Sequence, residues 1–311
     1  MKYLLVNENG QTNISQVVTK AAWSGSISEA ARKLELSIVS SPTDIYLPKI
    51  NIQCGNMLKM LDDSGVELFQ GYIFSREKSL NDSDLSVVAF DGLVYLLKSK
   101  GSYNIKKMTA EAFTQKVCGE LGIAIGSLAK TGIAQNHIFD GATIYEAIVE
   151  MYSNASKQNG KKYKLVMNQD KLSVIDVGST IATTTLKYLS DAKHSESIEN
   201  MINRVKVYND KQKYIKTVEN KDNIKKYGIL QDIFVQEQGK TAESALKEIE
   251  QTSSIEDIGD TTCITGNAVK VNEPYTNITG LFWVSSDNHT FEDGQHKMSL
   301  ELSYKQIYGG G

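Results

Sequence analysis

Three short runs near the C-terminus decide how this chain is read: Gly266-Asn267-Ala268-Val269-Lys270-Val271, Gly280-Leu281-Phe282-Trp283-Val284 and Lys297-Met298-Ser299-Leu300-Glu301-Leu302. Each is a brief apolar or alternating segment bounded by turn-forming residues, the pattern of a β-strand. Similar pieces stand in the same order near the N-terminus, as Gly55-Asn56-Met57-Leu58-Lys59-Met60, Gly71-Tyr72-Ile73-Phe74 and Asp84-Leu85-Ser86-Val87. An earlier pair extends the echo. Ser26-Ile27 with Ala31-Arg32-Lys33-Leu34-Glu35-Leu36 matches Ser197-Ile198 with Ile202-Asn203-Arg204-Val205-Lys206-Val207.

The offset is 171 positions from Ser26 to Ser197, then 211 from Gly55 to Gly266, 209 from Gly71 to Gly280 and 213 from Leu85 to Met298. A duplicated β unit explains the shared order, with roughly forty extra residues in the second copy, which loop-closure entropy tolerates well. The pattern of those residues predicts a helix from Thr241 to about Gln251, with Ala242, Ala245, Leu246 and Ile249 inward.

Outward from the echo, residues 1 to about 107 are mainly β, with turn-rich breaks such as Leu80-Asn81-Asp82-Ser83-Asp84. The period changes between about Met108 and Ser190. Thr109 can cap a helix carrying Phe113, Val117 and Leu121, which Gly122 ends. Thr143-Ile144-Tyr145-Glu146 has capping-box form, and Ile144, Ile148, Met151 and Tyr152 then share a face. Tyr163 to Val177, turning at Asn168-Gln169-Asp170-Lys171, reads as a hairpin. The β pattern then returns, and Gly309-Gly310-Gly311 reads as a linker or chain end.

The 311 residues suit two or three domains, and 41% hydrophobic with 23% charged residues fits folded, soluble units. A net charge of -3 with mingled signs provides no broad surface for phosphates, so no specific nucleic-acid partner is expected. Cys54, Cys118 and Cys263 are dispersed and read as reduced, with no disulfide framework or zinc knuckle. No apolar run has the length of a signal peptide or a membrane span, so synthesis in the cytoplasm and no membrane partner are expected.

The candidates for chemistry are weak. His289 and His296 flank Glu292 and Asp293, but Asp293-Gly294 is a hairpin turn that puts them on two arms with no third ligand nearby. The reading is structural, with no metal. His137 and Asp140 lie in Thr131 to Asp140, which reads as a loop between helices. Glu146 and Glu150 share a helical face, yet Glu146 is occupied as a cap. The glycines form no phosphate loop or dinucleotide fingerprint, and there is no serine nucleophile elbow. Lys211, Lys213, Lys216, Lys221, Lys225 and Lys226 interleave with tyrosines, but Asp210, Glu219 and Asp222 dilute them, favouring a solvated hairpin or interface rim. No catalytic residue, cofactor or metal is assigned.

The order of β unit, α+β unit, Asn200 to Val207, Tyr227-Gly228-Ile229-Leu230-Gln231 and the closing His289-Thr290-Phe291 with Gly294 to Leu300 resembles the baseplate hub proteins of contractile phage tails and tail-like particles. The likeness is to the XkdQ/YqbQ type of PBSX-like defective prophages and covers nearly the whole chain. It implies an α+β, mainly β fold, with two tube-like antiparallel β-barrel domains flanking a small α+β domain. The expected boundaries are 1–107, 108–190 and 191–308, with a helical insertion around 241–257 and the glycine end at 309–311.

The resemblance also implies a non-enzymatic homotrimer whose six barrels match a sixfold tail tube to a threefold spike. Its expected partners are the tube protein, the spike protein and other baseplate or LysM-containing hub proteins, assembled into the virion baseplate. The alternative is a cell-wall carbohydrate-binding or hydrolytic β-protein acting at the bacterial surface.

Overall fold

The computed structural model describes residues 1–41, 44–79, 84–177, 183–236 and 241–304. The expected turn core at 80–83 and the glycine end at 309–311 lie outside the described residues. Among the described residues no helix is long and apolar enough to cross a membrane.

The first β unit comprises β1 (Lys2–Asn7), β2 (Gly10–Asn13), β3 (Val18–Ser26), β4 (Lys33–Val39), β5 (Met57–Leu61), β6 (Glu67–Lys78) and β7 (Asp84–Phe90). Its order is β2-β1-β5-β6-β7-β4-β3, antiparallel throughout. Alternation drives it. In β4, Leu34, Leu36 and Ile38 are buried while Lys33, Glu35 and Ser37 between them are not. The inward residues of these strands, among them Leu5, Leu58, Met60 and Val87, form one core, so the sheet curls around it.

The middle unit follows with α1 (Leu93–Lys98), β8 (Lys100–Met108), α2 (Ala110–Leu121), β9 (Ala124–Leu128), β10 (Gln135–Thr143), α3 (Ile144–Asn159), β11 (Tyr163–Asn168) and β12 (Lys171–Asp176). Both expected caps are present. Thr109 accepts from Ala112 N–H and Gly122 closes α2 at φ 67°, while Thr143 and Glu146 satisfy each other's N–H groups at the start of α3. The hairpin β11–β12 turns through Gln169 and Asp170 as read. Two expectations change. The supposed loop Thr131 to Asp140 mostly belongs to β10, paired with β8. That ribbon carries polar residues and a 73% exposed Ile138 on its outer face, which hid its period. The core here also draws on Leu93, Leu96 and Ile105, which precede Met108.

The last part comprises β13 (Thr183–Leu186), β14 (Asp191–Ser197), β15 (Arg204–Tyr208), β16 (Tyr214–Glu219), α4 (Lys221–Tyr227), β17 (Gln231–Val235), β18 (Glu250–Ile258), β19 (Ala268–Glu273), β20 (Ile278–Glu292) and β21 (Gln295–Ser303). The order β14-β18-β21-β20-β19-β13 repeats β3-β4-β7-β6-β5-β1, although β13 meets β19 in parallel where β1 meets β5 antiparallel. The duplication is therefore visible in strand order. A second core, with Ile255, Val269, Phe282 and Leu300, sits inside this copy.

The alignment differs from the reading in two places: Gly71 stands where Phe282 does rather than Gly280, and one strand is reassigned. The strand standing where β4 stands is β18, whereas Arg204 to Val207 lies in β15, at the centre of a separate sheet β16-β15-β17 built within residues 204–235. Val205 and Val207 bury in the same alternation as Leu34 and Leu36, so the pattern alone could not separate them. The helix expected from Thr241 is also overturned. A single 3-10 turn spans Ala242–Ala245, Leu246 is extended, and Glu250 already begins β18. Of the four apolar positions only Ala242 is buried, too little to offset helix nucleation against the pairing of β18 with β21.

Candidate assembly site

The two copies meet along β20. Its first half pairs with β19, its second half with β3, and β21 runs along its other side from Trp283 onward. One 13-stranded sheet results. A β-bulge at Ser285, between Val284 and Ser286, makes this possible. Before it Ile278, Phe282 and Val284 point into the second core. After it the phase switches, and Asp287, His289 and Phe291 point inward instead, with Phe291 in the first core.

Asp287 is the centre of the junction. Arg32, just before β4, grips it with two hydrogen bonds, Nη1 to Oδ1 at 2.9 Å and Nη2 to Oδ2 at 2.6 Å. Thr265 donates its N–H and its hydroxyl to Oδ1, both at 2.6 Å. Burial alone would raise the Asp287 carboxyl, but Arg32 and Thr265 outweigh it and hold the group below the usual carboxylate range. The guanidinium lies 4.1 Å from the Trp23 ring centroid, a cation–π contact inside the seam. Gly25, opposite Asp287, makes room, since a Cβ there would run into the Arg32 guanidinium.

The histidines continue the network. His289, fully buried, places Nε2 3.1 Å from the Cys263 carbonyl and Nδ1 3.0 Å from His296 Nε2. A neutral pair fits: His296 Nε2–H donates to His289 Nδ1, and His289 Nε2–H donates to Cys263. Burial pushes both rings down, His296 to about 4. The two histidines stand on the two arms of the β20–β21 hairpin, where the sequence put them.

The middle unit joins through Lys164 on β11, whose Nζ donates to the Thr265 carbonyl at 2.9 Å. Burial, and then Arg32, push this amine down to about 8. Asp91, raised to about 6 by burial, accepts from the N–H groups of Arg32 and Leu93 and so ties β4 to the start of α1. A cavity of about 620 Å³ borders the junction, lined in part by Trp23, Arg32, Tyr145, Tyr152 and Lys164. Charges here are spent on one another and on backbone groups, an arrangement that fixes three units in register.

The other sequence candidates lie apart. The His137 ring lies tilted against Phe139 with centroids 4.2 Å apart and is 3.2 Å from Glu150, at the surface. Asp140 accepts from Ser102, and Glu146 is the α3 cap. The lysine run lies on the insert, where Lys216 meets Glu243 at 3.3 Å and Lys226 covers the Tyr227 ring. Arg32, Asp287, Thr265 and Lys164 were not singled out in sequence. Asp287 stands in the polar run Ser285 to Asn288, past the apolar strand read to Val284, and its partner is 255 positions away, so no local signal marks it.

The YQBQ-like family model matches residues 21–303. The chain belongs to this family. Protein YqbQ of Bacillus subtilis strain 168 is 25% identical over 265 residues, 79% of this chain and 81% of that one. The phage-like element PBSX protein XkdQ of the same organism is 24% identical over 301 residues, 91% of each chain. Among solved structures, the 43 kDa tail protein of prophage MuSo2 from Shewanella oneidensis superposes with a TM-score of 0.71 at 14% identity, over 99% of both chains. This YQBQ-like chain therefore has the fold of a phage tail protein, with the Arg32–Asp287 junction at the meeting of its two copies.

Proposed function

We propose that this YQBQ-like protein is a structural component of a phage tail or tail-like baseplate, and that within it the chain is the hub. Three chains form a ring of six β units, which matches a sixfold tail tube on one side and a threefold spike on the other. The observation that carries the proposal is the repeated strand order β3-β4-β7-β6-β5 and β14-β18-β21-β20-β19, fused through β20 into one sheet. Two similar units rigidly joined in one chain let three chains present six equivalent surfaces, a closed arrangement.

Under this proposal the boundaries near 107 and 190 separate the two ring-forming domains from the α+β unit. That unit and the insert at 198–249 lie outside the ring, available to other baseplate or LysM-containing hub proteins. The chain is made in the bacterial cytoplasm and assembled into the particle, and its role is force transmission and symmetry matching.

The test is native mass measurement and electron microscopy of the protein co-expressed with its tube and spike proteins. A trimer showing six β units around one axis is expected. A chain that stays monomeric with both partners present and binds peptidoglycan instead would overturn the proposal in favour of a cell-wall function.

A further inference from the structure

The bulge in β20 has a twin. In β6 it falls at Phe74, between Ile73 and Ser75, 211 positions before Ser285. Register fixes the rest of the correspondence. Ala89 stands opposite Ile73 as Leu302 stands opposite Val284, Leu34 opposite Ala89 as Ser253 opposite Leu302, and Trp23 opposite Leu34 as His194 opposite Ser253. Thus β3 corresponds to β14 at 171 positions, the spacing of Ser26 and Ser197.

The second half of β20 is covered by β3, but its counterpart in β6 is open. Among the described residues no strand pairs with Ser75–Lys78 on the side away from β7, and all four are exposed. The counterpart of β3 is open as well, because among the described residues β14 pairs only with β18 and ends the sheet. One copy thus leaves open the half-strand that the other copy fills, and the reverse.

We propose that β14 of one chain pairs antiparallel with the end of β6 of a second copy, repeating the β3–β20 seam between chains. Carrying the internal register across sets Ser197 opposite Ser75, Glu196 opposite Arg76, Ser195 opposite Glu77 and His194 opposite Lys78. The charges fit. Within the chain the carboxylate of Asp287 on β20 faces Gly25, and its base, Arg32, arrives from the connection before β4. At the open seam the polarity is exchanged, since Arg76 takes the place of Asp287 and Glu196 that of Gly25. The residue at the Arg32 position is Gln251, neutral, and its amide already donates to Glu196 Oε1 at 2.7 Å. Within the chain Glu196 Oε1 lies 3.6 Å from His194 Nε2, and the permanent cation for it comes from Arg76 of the second chain. Arg76 uses Nη1 on the Ile52 carbonyl at 2.6 Å, leaving further N–H donors of its fork for a carboxylate. The contact is head-to-tail, which closes into a ring when the rotation allows. It rests on the ring reading above and specifies which edges make it.

The test uses the full chain with Cys54→Ser, co-expressed with its tube and spike proteins, carrying Ser75→Cys and Ser197→Cys together. Mild oxidation is expected to link chains covalently into a ladder ending at the closed ring, and neither single variant nor the shifted pair Glu77→Cys with Ser197→Cys should do so. Separately, Glu196→Arg should weaken ring formation about tenfold per seam through like charges placed opposite each other, with Arg76→Glu in the same chain restoring most of it. Rings that form normally while the 75/197 pair stays unlinked, or that ignore Glu196→Arg, would overturn the seam and leave the ring reading standing. Absence of any ring from the parent chain with both partners present would overturn both.

Discussion

Replacing Arg32 with methionine tests the junction most directly. Methionine keeps an unbranched apolar stem but strands the Asp287 carboxylate, whose side chain is fully buried, with the Thr265 donors and, 3.5 Å from Oδ2, His289 Nε2 still close by. Removing one member of a buried ion pair costs about 3–5 kcal/mol, and the surviving Thr265 bonds place R32M toward the lower end. Asp287→Leu alone should cost a similar amount, since it leaves Arg32 unpaired and Thr265 without its acceptor. The double variant R32M/D287L removes both charges, so its cost reduces to the orphaned Thr265 groups, about 1–3 kcal/mol. The three values are therefore strongly non-additive. Urea unfolding followed by Trp23 fluorescence, with Trp283→Phe throughout, measures all of them at the seam itself, where Trp23 lies under Arg32. An R32M chain within about 1 kcal/mol of its parent, or a double variant as damaged as the sum of the singles, would refute the reasoning.

Three further outcomes follow from the same geometry. Gly25→Ala should cost about 1–3 kcal/mol by overpacking against the guanidinium, and much less when Arg32 is already methionine; unfolding curves of the four combinations check it. The histidine pair makes stability fall with acid: both rings are held below the ordinary 6.5, so the unfolded chain takes up protons that the fold resists. Their contribution is complete above about 6.5 and is lost as the pH falls toward about 4; Asp287 and Asp260 oppose the downward shifts while Arg32 adds to them. Melting temperatures between these limits should flatten in His296→Phe, which keeps an aromatic ring against Phe291. Deleting Ser285 should remove the bulge without reversing the inward set, because Ser286 then follows Val284 in regular alternation opposite Glu301 and Asp287 stays opposite Leu300; hydrogen-exchange protection in β3 should be kept, and its loss would show that the bend at the bulge seats β20 on the first core.

Much of the architecture was legible because it is local. The capping box at Thr143, the stop at Gly122 and the β11–β12 hairpin each depend on residues within a few positions of one another. The repeat was legible too, since equivalent strands bury equivalent residues. What escaped was non-local or degenerate. Val205 and Val207 alternate as well as Leu34 and Leu36, and only the pairing of β18 with β21 decides which strand belongs to the repeat. The stretch from Thr241 has a helical spacing of apolar residues, but nothing packs on most of them. The junction was hidden for a third reason. Arg32 and Asp287 are ordinary charges until the bulge at Ser285 turns one of them inward, and a bulge leaves almost no mark in sequence.

That bulge also determines how the molecule carries load. Because β20 runs through both cores, its pairs with β3, from Ser286 to Glu292, and its pairs with β21 lie side by side along one axis. A pull along the strand strains these hydrogen bonds together in shear, whereas a hinge between separate halves would unzip them one at a time. The two halves are thus stiff against sliding along β20 and most yielding to peeling across it, with the Arg32–Asp287 clamp near one end of the seam and the Lys20–Glu292 ion pair at the other.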